Sequence, residues 1–284
     1  MTGAAGQVGR AFRALVPSDA VVAALTHTDL DITDEDAVRR AVGAHKPQWI
    51  VNAAAYTSVD AAESAPDAAQ LLNATAVGHL ARAAEHVAAR LVHLSTDFVF
   101  DGRSSVPYEA DAVTAPICTY GVTKLAGERQ ALGGSARSIV VRTSWVYAAY
   151  GQNFVRTMLR LMAERPEVRV VCDQTGSPTW ATGLAQVLWR MLALDAAAGI
   201  YHWCDAGIAS WYDFAVAIQE EALQRGILDH AVAVLPIRSA QYPTAAQRPP
   251  YSVLDSMRTR ALTGAVATHW RTQLRKMLDE LAAA

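Results

Sequence analysis

Residues 3–9 of the chain read GAAGQVG, and they run directly into a helical segment, Gln7–Leu15. The three glycines, Gly3, Gly6 and Gly9, have the spacing G-x-x-G-x-x-G. Glycines at this spacing allow a tight turn, let the backbone approach a pyrophosphate and let the helix pack close to a strand. The stretch therefore predicts a dinucleotide-binding loop, although alone it is also compatible with an ordinary flexible N-terminus.

Only Met1 and Thr2 precede this loop. A phosphate-binding loop normally follows a strand, which would be the central strand of the sheet. We therefore expect the natural chain to carry upstream apolar residues that end in Thr-Gly and supply this strand; the alternative is a fold that tolerates a missing central strand.

Beyond the loop, short β-branched runs alternate with alanine-rich helical stretches. Such alternation predicts crossover units and a parallel sheet that is buried on both faces. Thr33 and Asp36 have the spacing of a capping box at the start of one of these helices. The predicted strands are Ala20–Leu25, Trp49–Ala53, Leu91–Ser95, Ser138–Arg142 and Val168–Val171, and the predicted helices are Asp34–His45, Pro66–Ala89, Tyr120–Leu132 and Asn153–Glu164.

The composition changes after about Val146, where tryptophan and tyrosine become frequent. We expect a smaller, aromatic-rich C-terminal α/β lobe that binds substrate. The dinucleotide-binding domain would comprise residues 1–146 and a return segment at about 180–208, and the lobe about 147–179 and 209–284. Further elements are predicted as a strand at Gly199–Cys204, a helix from near Ser210 and a final helix at Thr268–Leu281.

The composition also excludes several classes of protein. The chain has 284 residues, 52% of them hydrophobic, and a formal net charge of -2. A nearly neutral chain is not expected to bind nucleic acid, and no continuously apolar stretch reaches about 18 residues, so we expect no membrane span. Three widely spaced cysteines, Cys118, Cys172 and Cys204, predict reduced thiols and a cytoplasmic location.

Tyr120 and Lys124 are four residues apart in a predicted helix, which places both side chains on one face. An ammonium near a phenol favours the phenolate, so we expect Lys124 to lower the pKa of Tyr120. The chain has only three lysines among its 25 basic residues. A lysine at this position is therefore suggestive, although an ordinary surface pair would have the same spacing.

Thr96 lies in the run LSTDFVFDG, residues 94–102, at the end of a predicted strand. The carboxyl ends of parallel strands bind ligands in open α/β sheets. Thr96 is therefore a candidate hydrogen-bond donor to a substrate carbonyl, and its alternative is a strand-terminal threonine that satisfies backbone groups.

These motifs, in this order, resemble the extended short-chain dehydrogenase/reductases and, within them, the dTDP-4-dehydrorhamnose reductase family. The resemblance runs almost from end to end and implies a Rossmann-type doubly wound sheet. The matching stretches are GAAGQVG (3–9), LDIT (30–33), VNAAAYTSVD (51–60), LSTDFVFDG (94–102), YGVTK (120–124), RTSWVY (142–147), DQTGSPT (173–179), GIYH (199–202), SWY (210–212) and RPPYS (248–252).

The resemblance implies that the protein reduces the C4 ketone of dTDP-4-dehydro-β-L-rhamnose, a nucleotide sugar. Tyr120 would protonate the ketone oxygen, Lys124 would hold the nicotinamide ribose, and Thr96 would donate to the same oxygen. Asp97 and Trp145 would contact the sugar. The implied cofactor-binding residues, besides Tyr120 and Lys124, are Gly3, Gly6, Gln7, Val8, Asp31, Ile32, Ala54, Ala55, Tyr56 and Thr57.

The choice of cofactor depends on the residues near the adenosine ribose. Asp29 comes somewhat late for the carboxylate that would select NAD, whereas Arg10 and Arg13 are near enough to suggest a 2′-phosphate site. We expect NADPH, with NADH tolerated. The resemblance also allows Mg²⁺ and a homodimer, but it identifies no metal-ligating residue.

One departure from the family leaves other functions open. Phe98 stands where the family usually has tyrosine, so one hydroxyl contact to substrate is missing. The alternatives are another nucleotide-sugar 4-ketoreductase, or a non-catalytic regulatory subunit related to that of methionine adenosyltransferase. The combination of Thr96, Tyr120, Lys124 and Trp145 argues against a purely regulatory protein.

Overall fold

The computed structural model describes residues 1–283, and it is an α/β fold built on a parallel sheet. The helices are α1 Gln7–Ala14, α2 Glu35–His45, α3 Val59–Ser64, α4 Pro66–Gln70, α5 Ala76–His86, α6 Thr119–Gly134, α7 Phe154–Glu164, α8 Ala181–Ala193, α9 Trp211–Gln224, α10 Met257–Thr263 and α11 Trp270–Ala282. The strands are β1 Trp49–Asn52, β2 Arg90–Thr96, β3 Ile139–Thr143, β4 Val146–Tyr147, β5 Glu167–Val171, β6 Thr175–Gly176, β7 Thr179–Trp180, β8 Gly199–His202, β9 Ala209–Ser210 and β10 Ala233–Ile237.

The central sheet has the order β1-β2-β3-β8, and all of its strands run parallel. Helices cover both faces of the sheet. Side chains at successive positions of a strand point to opposite faces, so neighbouring residues contact different helices. Leu91 packs with α2, α5 and α6, whereas its neighbour Val92 packs with α1 and α8. The prediction of a Rossmann-type, doubly wound parallel sheet is therefore confirmed.

The N-terminus lies between two segments of this layer. Thr2 forms parallel bridges to both Leu25 and Asn52, and the Leu25 N–H donates to the Met1 carbonyl at 2.8 Å. Of the predicted strand Ala20–Leu25, the structure forms only the bridge at Leu25, because a longer ladder needs more partner residues than Met1 and Thr2. That further residues precede Met1 stays a prediction.

The helix predicted over Pro66–Ala89 is interrupted by a π-helical turn, Leu71–Thr75. The Asn73 side chain turns inward, where it accepts from the Tyr56 N–H at 2.8 Å and donates to the Tyr56 carbonyl at 3.1 Å. The turn also presses on α6, since a Cβ on Gly127 would lie 2.0 Å from the Asn73 carbonyl oxygen. The π turn therefore coincides with long-range contacts to Tyr56 and to α6.

Two further predictions need correction. The cap of α2 is Asp34, whose carboxylate accepts from the Ala37 N–H at 3.0 Å, and not the predicted Thr33–Asp36 box. Strand β5 lies outside the central sheet and pairs in parallel with β10, which the sequence did not predict. Its alternating burial explains this position, because one face is exposed and a central strand would be buried on both.

The C-terminal part has a hydrophobic core of its own. The β5–β10 pair and helices α7, α9 and α11 contribute to it, with Phe214 and Met277 fully buried. Within residues 1–283, no helix has the length and hydrophobicity that a membrane span requires.

Candidate active site

A cavity of about 790 Å³ opens where the glycine loop meets the carboxyl ends of β1, β2 and β3. In open α/β sheets, this edge is where ligands bind. The predicted residues that line it are Gly3, Gly6, Gln7, Val8, Ile32, Ala54, Ala55, Thr57, Thr96, Asp97, Tyr120, Lys124 and Trp145.

The glycine loop has the shape that a phosphate site needs. Gly3 has φ +69°, and a Cβ there would lie 2.5 Å from the Ala53 carbonyl carbon. A Cβ on Gly9 would lie 2.2 Å from the Gly3 carbonyl oxygen, so helix and loop are in contact. Gly6 caps α1 without a side-chain hydrogen bond. The first amides of α1 therefore remain free to donate to an anion.

Asp31 and Tyr56, two of the predicted cofactor-binding residues, do not line the cavity. The Asp31 carboxylate instead accepts from the Thr33 N–H at 2.9 Å and from its hydroxyl at 2.7 Å, in an exposed turn. The Tyr56 backbone is occupied by the Asn73 amide.

Two sets of contacts fix the position of the N-terminus of α6. The Glu63 carboxylate of α3 accepts from the Thr119 N–H and from the Thr119 hydroxyl, both at 2.8 Å. A Cβ on Gly121 would lie 2.2 Å from the Phe98 carbonyl oxygen, so α6 packs directly on the turn that follows β2. These contacts bring the Tyr120 ring edge-on to Phe98, with 5.5 Å between ring centroids.

The electrostatic prediction for Tyr120 was wrong. Burial raises the pKa of its hydroxyl above the usual value, and the neighbouring Thr96 only partly opposes this effect. Lys124 Nζ donates to the Leu94 carbonyl at 2.6 Å, and burial lowers the pKa of this amine to about 8. The spacing was correct, but the lysine points along β2, so Tyr120 is a protonated phenol here.

Asp97 lines the cavity, and its carboxylate is incompletely satisfied. One oxygen accepts from the Thr96 hydroxyl at 3.0 Å, whereas Oδ2 is buried and has no hydrogen-bond partner among residues 1–283. Burial raises the pKa of Asp97 to about 6, and the hydrogen bond from Thr96 only partly opposes this effect. An unpartnered buried oxygen fits a polar ligand such as a sugar hydroxyl.

Trp145 has an unusual backbone, with φ +47°. Its ring stacks on Trp211, with centroids 3.4 Å apart and planes inclined by 5°. A Cβ on Gly176 would lie 2.7 Å from the Trp145 ring, so only glycine leaves room for the indole. This aromatic pair forms one wall of the cavity.

The side chains that were expected near a 2′-phosphate lie elsewhere. Arg10 lies over the Tyr150 ring, 3.9 Å from its centroid, and neither Arg10 nor Arg13 lines the cavity. Asp29 is engaged by the hydroxyl of Thr26, at 2.5 Å. Thr26 and His27, by contrast, line the cavity.

Comparison with known proteins agrees with this geometry. The family model described as "RmlD substrate binding domain" matches residues 1–283. A dTDP-4-dehydrorhamnose reductase of Aggregatibacter actinomycetemcomitans is 40% identical over 98% of this chain and 97% of its own. The chain belongs to the dTDP-4-dehydrorhamnose reductase family.

Two other relatives are described with a bound cofactor or with a substrate. A dTDP-4-dehydrorhamnose reductase structure from Bacillus anthracis, in complex with NADP, superposes with a TM-score of 0.93 at 36% identity, over 98% of this chain and 97% of that one. A protein of Streptomyces antibioticus described as a "probable dTDP-4,6-dihydroxy-2-methyloxan-3-one 4-ketoreductase" is 42% identical over 100% of this chain and 95% of its own.

In this member of the dTDP-4-dehydrorhamnose reductase family, the site also contains residues to which the sequence assigned no role. Trp211 and Arg248 line the first cavity and also a second one of about 1240 Å³ beside it. The Asp60 carboxylate of α3 holds the Arg248 guanidinium at 2.7 and 3.1 Å. Both residues lie in motifs that carry the resemblance, SWY and RPPYS, which was the available signal.

No metal centre is evident in the described part of the chain. Among residues 1–283, no group of three or more His, Cys, Asp or Glu side chains is placed to hold an ion. His79 lies between the Ile32 carbonyl and the Glu35 carboxylate.

Proposed function

We propose that this protein transfers hydride from NADPH to C4 of dTDP-4-dehydro-β-L-rhamnose, which gives dTDP-β-L-rhamnose. The observation that carries this proposal is that Tyr120, a protonated phenol, lines one cavity together with Thr96, Lys124 and the glycine loop. The hydride would form the new C–H bond, and the Tyr120 hydroxyl proton would go to the ketone oxygen.

The side chains around the ketone have complementary roles in this proposal. NADPH supplies the hydride when it is bound. Tyr120 acts as general acid, and burial keeps its proton in place until the oxygen gains charge. Thr96 donates to the same oxygen, and Lys124 binds the nicotinamide ribose. Trp145 provides an apolar wall that positions the sugar.

The free carboxylate oxygen of Asp97 is suited to a sugar hydroxyl. Its Oδ2 is buried and has no hydrogen-bond partner in the described chain, and Asp97 lines the cavity. A hydroxyl that donates to this oxygen would satisfy it and favour the ionised form.

NADPH is the preferred cofactor in this proposal, and NADH is accepted. The pyrophosphate would bind the free amides at the start of α1, and the 2′-phosphate would lie near Thr26 and His27. Of the described residues that line the cavity, Asp97 is the one carboxylate, and it belongs to the substrate end. A comparison of kcat/KM for NADPH and NADH tests this point, and a strong preference for NADH would contradict it.

The second cavity is suited to the nucleotide of the substrate. It adjoins the first at Trp211 and Arg248, and it lies among α7, β5 and the segment before Arg248. This arrangement supports two separate binding regions, of which residues 1–146 and about 180–208 would bind the dinucleotide. Residues at about 147–179 and 209–284 would form the substrate lobe.

Tyr120→Phe is the direct test. We expect a loss in kcat of about 100-fold or more, with little change in the Kd of NADPH, because the proton matters mainly in the transition state. NADPH oxidation that depends on the dTDP-ketosugar would be followed in wild type and variant. Unchanged turnover would remove Tyr120 from its role.

A second candidate is a 4-ketoreductase that acts on another dTDP-linked ketosugar. The Streptomyces relative and Phe98 favour it, since Phe98 lacks the hydroxyl of a tyrosine beside Tyr120. Assays with a panel of dTDP-4-ketosugars distinguish the two reactions. A lack of NADPH oxidation with every member would instead favour a regulatory protein.

We further propose a cytoplasmic enzyme that forms a homodimer. Size-exclusion chromatography with light scattering tests the dimer, and a monomer at micromolar concentration would contradict it.

A further inference from the structure

Lys124 ends in a small cluster of buried polar groups beneath the cavity. Asn52 and His93 are fully buried, Lys124 is 2% exposed and Thr2 is 4% exposed. Buried donors need acceptors, and each side-chain atom type has a fixed capacity to donate or accept. The hydrogen positions in this cluster can therefore be deduced.

The backbone fixes the orientation of the Asn52 amide. The Ala54 N–H, which can only donate, lies 3.0 Å from Asn52 Oδ1, and the Thr2 hydroxyl lies 2.7 Å from the same oxygen. The amide nitrogen therefore faces His93 Nδ1, at 3.1 Å. An amide nitrogen donates, so His93 Nδ1 accepts and carries no hydrogen.

The other ring nitrogen of His93 must then carry the hydrogen. Burial and the nearby Lys124 lower the pKa of His93 well below its usual value, so the ring is neutral. Its Nε2 lies 3.4 Å from Lys124 Nζ, which also donates to the Leu94 carbonyl at 2.6 Å. An amine has a lone pair that can accept from Nε2–H, whereas an ammonium would place two donors face to face.

We propose that His93, fixed by Asn52 as the tautomer with its hydrogen on Nε2, is a positioning residue that favours the uncharged amine of Lys124. The inference deepens the proposed function, because Lys124 is the residue that would bind the nicotinamide ribose. A negatively charged cofactor favours the ammonium, so NADPH binding takes up a proton at alkaline pH.

Other groups that face Lys124 do not supply this preference. Tyr120 and Glu128 lie on the same helix, and a charge on Glu128 favours the ammonium. Glu128 is, however, held by the Arg142 guanidinium of β3 at 2.7 and 2.8 Å, which offsets its charge. Asn52 of β1 is neutral. Together with desolvation, the His93 donor is therefore the contact that opposes protonation.

The tautomer can be measured directly in the wild-type protein. Two-bond ¹H–¹⁵N correlation spectra distinguish the two neutral forms of histidine, and the spectrum of His93→Gln assigns the His93 signals. We expect hydrogen on Nε2 at pH 7. An imidazolium, or hydrogen on Nδ1, would overturn the proposal. This measurement needs neither cofactor nor substrate, so its failure is separate from a failure of the proposed function.

The consequence for Lys124 is tested with His93→Gln. A glutamine amide reaches the region of Nε2 and can turn its oxygen toward an ammonium, so the pKa of Lys124 should rise. We expect the alkaline limb of the kcat/KM profile to move up by about 0.5 to 1 pH unit. Calorimetry at pH 8, in buffers of different ionisation enthalpy, should show reduced proton uptake on NADPH binding.

His79→Gln serves as the matched control, because His79 is a buried histidine of α5 that contacts the Ile32 carbonyl. It should leave the alkaline limb and the proton uptake unchanged. If both quantities in His93→Gln equal those of wild type, the role of His93 is refuted. If that variant does not fold, the tautomer measurement on wild type still decides.

Discussion

Gly176→Ala should displace Trp145 and slow the reaction while cofactor binding stays intact. The backbone of Gly176 is outside the left-handed region, so alanine causes no conformational strain there. Its Cβ, however, would lie 2.7 Å from Trp145 Cε2 and 2.8 Å from Nε1. The indole is stacked on Trp211, so a shift must also move or break that stack.

The size of the effect follows from the missing space. Ordinary contact with a Cβ begins at 3.4 Å, so the ring must move by about 0.7 Å. A misplacement of about 1 Å can cost about 100-fold in rate, so we expect kcat/KM for the dTDP-ketosugar to fall about 10- to 100-fold. Overpacking should also lower the free energy of unfolding by about 1 to 3 kcal/mol.

Steady-state NADPH oxidation measures the loss, and fluorescence titration measures the Kd of NADPH. Gly133→Ala is the matched control, since a Cβ at this exposed position of α6 meets nothing within 4 Å. A Gly176→Ala variant within threefold of wild-type kcat/KM would refute the reasoning. So would an equal loss of cofactor affinity, because Gly176 contacts Trp145 and not the glycine loop.

Three further predictions concern stability. Glu63→Gln removes the charged acceptor that holds Thr119, so the free energy of unfolding should fall by about 1 kcal/mol in urea denaturation, and an unchanged midpoint would contradict this. Gly43 occupies an exposed position of α2, and a Cβ there would meet nothing within 4 Å. Gly43→Ala should therefore raise Tm by about 1 to 3 °C, and a fall in Tm would contradict this prediction. Burial raises the pKa of Asp205 to about 7, although its carboxylate accepts from the Trp180 N–H at 2.8 Å. The contribution of Asp205 to stability is therefore fully present below the pKa of this group in the unfolded chain, and it is lost as the pH rises through about 7. Between pH 4 and 8, the free energy of unfolding of wild type should fall by about 1 to 4 kcal/mol relative to that of Asp205→Asn. Parallel curves of stability against pH for the two proteins would refute this.

Local patterns in the sequence predicted much of the fold. The strands of the central sheet are short apolar, β-branched runs between helical stretches, and this alternation located them. The glycine loop was predictable because its glycines are needed for local backbone geometry, such as the positive φ of Gly3. The i, i+4 spacing likewise placed Tyr120 and Lys124 together on α6.

Predictions that depended on distant partners were less successful. Arg10 was expected near a 2′-phosphate, but its guanidinium lies over the ring of Tyr150, which is 140 residues later in the chain. The spacing of Tyr120 and Lys124 did not show that the amine would point to the Leu94 carbonyl and to His93. Electrostatics in a buried site depend on every neighbour and on desolvation, which a single helix pattern does not contain.

The sequence by itself therefore determined the fold class, the position of the glycine loop and the pairing of Tyr120 with Lys124 on one helix, because these depend on local patterns and on close spacing. Tertiary structure alone decided which groups surround them. The β6–β9 pair joins the segments of Gly176 and Trp211, the Trp211 ring stacks on Trp145, and the proposed tautomer of His93 follows from Asn52 on a neighbouring strand. Such contacts join residues that are distant along the chain, and packing and burial, rather than local propensity, set their geometry.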